Sequence, residues 1–253
     1  MTDGSAAIGA TLRAGLSDVA SAVRDCWAAL AAAAVVSVAA DFLPPGLKII
    51  GALLPIVIAQ GALFRRAFGR DMGLKGLRWG RDEWRLLAAQ LMILALLCLI
   101  GAILMVIVGG VALGVARTAA PNFDPGTIDG WKGAFASAGP AGFVLSLVPL
   151  ASLAILIWLS LRLSLSAPAT VEQSGVRVLS AFPLTKGRVP TLFVVGLAIA
   201  VPLFALSALL ALAPGQGLAA AAILAAGSYF YAMPAWAGAL AHFYRASAVT
   251  QEA

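Results

Sequence analysis

Between Leu77 and Leu87 the chain reads LRWGRDEWRLL, with Arg78, Arg81 and Arg85, the carboxylates Asp82 and Glu83, and two tryptophans, Trp79 and Trp84. Residues of these types at this spacing can do two kinds of chemistry. Cations beside carboxylates can hold a phosphate ester while an acid and a base work on it. A basic cluster edged with tryptophan can instead hold a membrane surface, with the rings at headgroup level. The first reading wants a metal cluster or a histidine beside the carboxylates. The one histidine, His242, lies far along the chain in AHFYRAS, where with Tyr244 and Arg245 it reads as an interfacial anchor. A membrane-embedded lipid enzyme would need Asp82, Glu83, Glu172 and His242 to converge. The sequence has no nucleophile elbow, zinc-protease helix motif or phosphate-binding glycine loop. The expectation is therefore a non-enzymatic protein, with no catalytic, cofactor-binding or metal-ligating residue assigned. Asp124 and Asp129 lack the alternating oxygen donors of a calcium loop, and Cys26 and Cys98 read as packing residues in apolar helix.

The elements that must position these residues follow from charge. The chain of 253 residues is 62% hydrophobic and 11% charged, whereas a soluble domain carries about a quarter charged residues. No Asp, Glu, Lys or Arg occurs between Arg85 and Arg117, between Lys132 and Arg162, or from Val189 to Tyr244. A helical span needs about 20 apolar residues, so these runs hold one, one and two spans, the last pair divided at APGQG. Two shorter windows, from Cys26 to Ala40 and from Ile49 to Phe64, supply two more. The expected fold is all-α, a polytopic helical membrane bundle with spans at 26–43, 46–65, 86–114, 140–161, 190–212 and 217–241. The first two could instead form a re-entrant hairpin turning at DFLPPGLK.

Lys and Arg then set the orientation. With the N-terminus inside, 14 of the 17 cations fall on the cytoplasmic side, and only Lys48, Arg117 and Lys132 fall opposite. Both termini are thus expected in the cytoplasm, in a bacterial inner membrane. The pI of about 9.9 is this asymmetry together with attraction to anionic headgroups, not a nucleic-acid footprint. Residues 1–253 form one integral membrane domain in this reading. Its segment 1–25 is an amphipathic helix along the inner surface, with Ile8, Leu12, Leu16, Val19 and Val23 near one face. Residues 66–85 and 162–189 are basic cytoplasmic loops, and 115–139 is a periplasmic loop.

Within the first loop, Asp82 reads as the N-cap of a surface helix that runs into span three. In the second, Thr170 and Gln173 read as a capping box that opens an interfacial helix ended by Pro183. Arg65, Arg66, Arg70, Arg78, Arg81, Arg85, Lys186 and Arg188 are the expected contacts for anionic lipid or a protein partner. Glu172 with Arg177 is the expected ion pair, with Arg162 or a loop-one arginine as other partners that would tie the loops together. Pro55, Pro149, Pro202 and Pro234 bend their spans, which suits packed curvature or the hinges of a carrier for a neutral or lipid-like substrate. Gly110 and Gly114 allow close helix packing or a homo-oligomer. Gln60, Gln90, Ser152, Ser207 and Ser228 are the polar remainder of the spans, suited to interhelical hydrogen bonds.

The second loop carries a resemblance through Arg162, Pro168, Glu172, Gly175, Ser180, Leu184, Thr185, Gly187 and Arg188. It resembles uncharacterised bacterial multi-pass membrane proteins, a group that includes the membrane region of some glycerophosphoryl diester phosphodiesterases. RDEWRLL before span three is similar to the matching segment of some members. The resemblance implies about six helices and an envelope role. The group's barrel-shaped catalytic domain has no counterpart here, so phosphodiesterase activity is not implied.

Overall fold

Pro44 and Pro45 separate two apolar segments at the one point where a helix would have to break, and Pro45 then starts the second helix. The computed structural model describes residues 2–212 and 217–252, with side chains described for 7–212 and 217–247. The two helices are α2 (Val19–Ala40) and α3 (Pro45–Ala67), packed along each other. At about 1.5 Å per residue each exceeds the roughly 30 Å of a bilayer core. Each is long enough to cross alone, so a re-entrant hairpin is not needed. Their seam is built from small residues, with Cys26, Ala29, Ala33, Ala59 and Ala62 fully buried.

The remaining helices are α1 (Thr2–Ser17), α4 (Arg81–Ala119), α5 (Ile128–Ser137), α6 (Pro140–Leu163), α7 (Ser166–Glu172), α8 (Ala181–Leu184), α9 (Val189–Leu212), α10 (Leu218–Gly227) and α11 (Met233–Glu252). Among the described residues there is no strand beyond one bridge, Leu74 with Leu77. Six helical stretches are long and apolar enough to cross a membrane: Val19–Ala40, Pro45–Ala67, Arg81–Ala119, Pro140–Glu172, Val189–Leu212 and Leu218–Ser247. The protein is an all-α, multi-pass membrane protein. Of the turn expected to divide the last two spans, only Gly217 lies among the described residues.

The chain gathers into two units, and their boundaries cut through the continuous helices α4 and α6. One unit, residues 93–160, holds the far part of α4, α5 and the first part of α6. Along 93–116 of α4 and 140–160 of α6 the helices are uncharged on every side, with Met105, Val106 and Leu150 exposed, as lipid-facing helices are, whereas α5 carries the exposed pair Asp129 and Lys132. Gly110 and Gly114 have open space around them, so the close packing expected there is not made among the described residues. The loop expected at 115–139 is shorter than its sequence suggests, because α4 runs on to Ala119 and Thr127 caps α5 by accepting from the Gly130 amide at 3.2 Å.

The other unit, residues 1–92 and 161–253, holds the core. Here α1 departs from expectation. Its apolar face, Ile8 and Leu12, packs on Val195 and Ile199 of α9 and on Ala235 and Ala239 of α11 rather than facing lipid alone. The reason is a crossing of small residues. Gly15 lies so near α11 that an added Cβ would meet the Ala235 carbonyl oxygen at 2.5 Å, and Gly238 faces the Gly15 backbone in return. Gly15→Ala should therefore cost about 1–3 kcal/mol through overpacking and loosen α1. Limited proteolysis before residue 18, in detergent, checks this.

Polar side chains in the spans divide by size. Gln90 Nε2 donates to Gln60 Oε1 at 2.9 Å between α4 and α3, as expected of interhelical amides. The Ser152 and Ser207 hydroxyls are too short to reach a neighbouring helix and donate to their own, at Val148 O and Phe204 O. Before Pro234 the last span widens into a π turn, Ser228–Ala232, in which the Met233 amide donates to Ser228 O. Pro234 has no amide hydrogen for the helix ladder, and the wide turn absorbs that break.

Candidate functional site

Arg65 and Arg66 are neighbours at the end of α3, so about 100° of helix separates their directions and they cannot both face the same surroundings. Arg65 turns inward. It is 2% exposed and forms an ion pair with Glu83, itself 1% exposed, at the start of α4. Its Nη2 also donates to Gly76 O at 2.9 Å, while Nε has no partner among the described residues. The other Glu83 oxygen accepts from the Gly80 amide at 2.7 Å. Glu83 is thus the acid that reaches back across the helix start, and the N-cap role expected of Asp82 is not taken. The surface helix expected to run into span three does not begin before Arg81: a turn at residues 75–76 joins the bridge of Leu74 with Leu77, and residues 78–80 are irregular, with Trp79 and Trp84 edge to face at 5.5 Å and both exposed.

Arg66 turns outward and is clamped by two carboxylates from the α1–α2 elbow. Nη1 and Nη2 reach Asp18 at 2.7 and 3.0 Å, and Nε reaches Asp25 at 2.8 Å. The other loop-one cations are also engaged. Arg70 sits 3.6 Å from Asp82 and Arg85 sits 3.3 Å from the same residue, while Arg78 pairs with Asp71. Arg188 donates to Ser247 Oγ at 3.1 Å and lies over the Phe243 ring.

Two corrections to the expected contact set follow. Arg65 is 2% exposed, is taken up by Glu83, and reaches the outside only as part of a cavity wall. Arg81 and Lys186 are the two members that are exposed and form no ion pair among the described residues.

The loops are tied together, but not by Glu172 with Arg177. Those side chains form no ion pair, because the helix ends at Glu172 and the chain reverses at Ser174 in the left-handed region (φ 53°). The tie comes from a loop-one arginine, as a hydrogen bond to the main chain at Glu172 and not as an ion pair with its carboxylate. Arg70 Nη2 donates to the Glu172 carbonyl at 2.7 Å, and the Arg177 amide donates to Thr170 Oγ1 at 3.2 Å. Thr170 therefore lies inside α7 rather than opening a capping box. The end of α11 joins the same assembly, with Arg245 donating to the Ala67 carbonyl and Gln173 Nε2 donating to the Tyr244 hydroxyl at 3.1 Å.

Two cavities open at this arginine-rich end. One, of about 480 Å³, is walled by Arg65, Arg70, Arg78 and Arg81, by the carboxylates Asp71, Asp82 and Glu83, and by Gly80. A second of about 480 Å³ lies between the α1–α2 elbow, α3 and α11. Asp18, Asp25, Arg66, His242 and Arg245 line it, over small apolar residues. Asp82 and Glu83 thus border one cavity and His242 borders the other. A third cavity of about 420 Å³ lies at the other end of α2, beside Ser37, Asp41 and Ser228. Between its α2 residues and those of the elbow cavity, Cys26, Ala29, Leu30 and Ala33 are fully buried.

The signal that could have exposed the buried pair is Gly61, one turn before Arg65. A Cβ there would run into the Glu83 carboxylate, so the glycine marks the space the acid occupies. Comparison with protein-family models, with curated proteins and with solved structures gives no match.

Proposed function

We propose that this chain is a non-enzymatic accessory or scaffold protein of a bacterial inner membrane, with both termini cytoplasmic, that holds anionic lipid at its arginine-rich end. The observation that carries the reading is the cavity walled by Arg70, Arg78 and Arg81, in which Arg81 alone among the three has no carboxylate partner. An arginine fork suits a phosphate group, and the exposed Trp79–Trp84 pair beside it has the amphipathic character of residues at headgroup level. The resemblance of the second loop to bacterial six-helix envelope proteins agrees with this setting. A protein partner or a second copy on the exposed helices of residues 93–160 fits the same role.

The alternative, a carrier for a neutral or lipid-like substrate, draws on the proline-bearing spans and the π turn. It has less support, since the α2 residues facing the core between the two cavities, Cys26, Ala29, Leu30 and Ala33, are fully buried and offer no polar path.

A juxtamembrane cation is worth about 1 kcal/mol toward an anionic surface. Arg81→Gln combined with Lys186→Gln should therefore weaken binding of anionic lipid about thirtyfold at low salt. Lys132→Gln, on the periplasmic side in this topology, should leave it unchanged. Titration of the protein in neutral nanodiscs with an anionic phospholipid makes the comparison. Equal binding by all three proteins would overturn the reading.

A further inference from the structure

The elbow cavity is built differently from the rest of the arginine-rich end. One wall carries a carboxylate–guanidinium–carboxylate triad in which Asp18 and Asp25 together accept three hydrogen bonds from Arg66, so this wall is net anionic. The facing wall, on α11, carries Arg245 and His242. The two carboxylates and two guanidiniums sum to zero. A ligand of single charge would leave the cavity charged, whereas a ligand bearing both signs matches both walls and leaves it neutral. From His242 at the rim to Pro234 at the floor is eight residues of α11, about 12 Å at helical rise. The floor is apolar, formed by Leu63, Ala237 and Pro234. The volume of about 480 Å³ is within the range of small-molecule sites.

We infer that this cavity binds the headgroup of a zwitterionic phospholipid carrying a primary ammonium, that is, a phosphatidylethanolamine. The ammonium faces Asp18 and Asp25, the phosphate faces Arg245 and His242, and the glycerol end lies over the apolar floor. The chemistry separates this ligand from its relatives. A primary ammonium has three donors for carboxylate oxygens. The quaternary ammonium of a choline lipid has none and is recognised by aromatic cages, and His242 is the one ring among the lining residues. A phosphatidylglycerol offers no cation to the anionic wall. The inference goes beyond the anionic-lipid reading and stands separately from it. Ethanolamine and choline lipids carry the same net charge, so attraction to the basic end cannot distinguish them.

The test is native mass spectrometry of the full chain, released from nanodiscs that contain equal amounts of phosphatidylethanolamine, phosphatidylcholine and phosphatidylglycerol. The expected result is one phosphatidylethanolamine retained per chain, about tenfold over phosphatidylcholine. Asp25→Asn, which leaves Asp18 on Arg66, should reduce that preference to about twofold or less. Ala14→Leu fills the cavity from α1 with every charge kept, and should abolish it. Wild-type protein that retains ethanolamine and choline lipids equally overturns the inference, as does a phosphatidylglycerol preference over both that persists in the Arg81→Gln, Lys186→Gln variant. So does a preference for ethanolamine that survives both Asp25→Asn and Ala14→Leu.

Discussion

Glu83→Leu should destabilise the bundle by about 3–5 kcal/mol, the cost of leaving one member of a buried ion pair without its partner. Arg65 would remain sealed between α3, α4 and the 69–80 loop, with its charge uncompensated and only the Gly76 carbonyl to accept from it. Arg65→Met should cost about as much by stranding the carboxylate. The double variant Arg65→Met, Glu83→Leu should recover most of the loss, because apolar replacement of an entire buried pair is often neutral or stabilising. Reversible unfolding of the detergent-solubilised protein, read as a double-mutant cycle, measures the coupling directly. Single losses below about 1 kcal/mol that simply add would mean that the pair is not a buried unit.

Gly76→Ala is expected to be the next most damaging change. Gly76 is buried with φ +82°, and its Cβ would stand 3.0 Å from Ala62 Cβ and 3.2 Å from Cys26. A side chain there costs about 1–2 kcal/mol for left-handed backbone and about 1–3 kcal/mol more for overpacking the α2–α3 seam. Gly69→Ala also has positive φ, but open space surrounds it, so it should show the backbone cost alone. Comparing the two midpoints in the same unfolding assay separates strain from crowding. Gly76 also supplies the carbonyl that Arg65 uses, so its replacement should weaken the ion pair too.

Class and span number were legible because they depend on composition and on uncharged runs longer than a bilayer is thick. Even the two short windows resolved into full helices, because α2 starts at Val19, ahead of Cys26, and α3 runs from Pro45 through Lys48 to Ala67; Phe42 and Leu43 lie in the turn between them. The site was less legible because the partners of its charges lie far apart in sequence. Asp18 and Asp25 meet Arg66 across more than forty positions, and Arg70 reaches the main-chain carbonyl of Glu172 across 102. No local spacing announces such contacts. Reading each cation as solvent-facing also assumed that arginines near a helix end act alike, whereas adjacent Arg65 and Arg66 face different surroundings because the helix turns about 100° per residue. The second loop misled for a related reason. Thr170 and Gln173 satisfy a capping-box pattern, but Ser166 to Val171 are buried, and packing of α7 against α3 and α11 moved the helix start earlier.

The most direct test of the lipid-holding role is native mass spectrometry of the protein extracted gently from its own membrane, beside the Arg81→Gln, Lys186→Gln variant prepared in the same way. Retained anionic phospholipid on the wild-type chain, largely lost from the variant, is the predicted result. A chain that emerges without lipid, or one whose lipids are the same in kind and amount in both proteins, would contradict it.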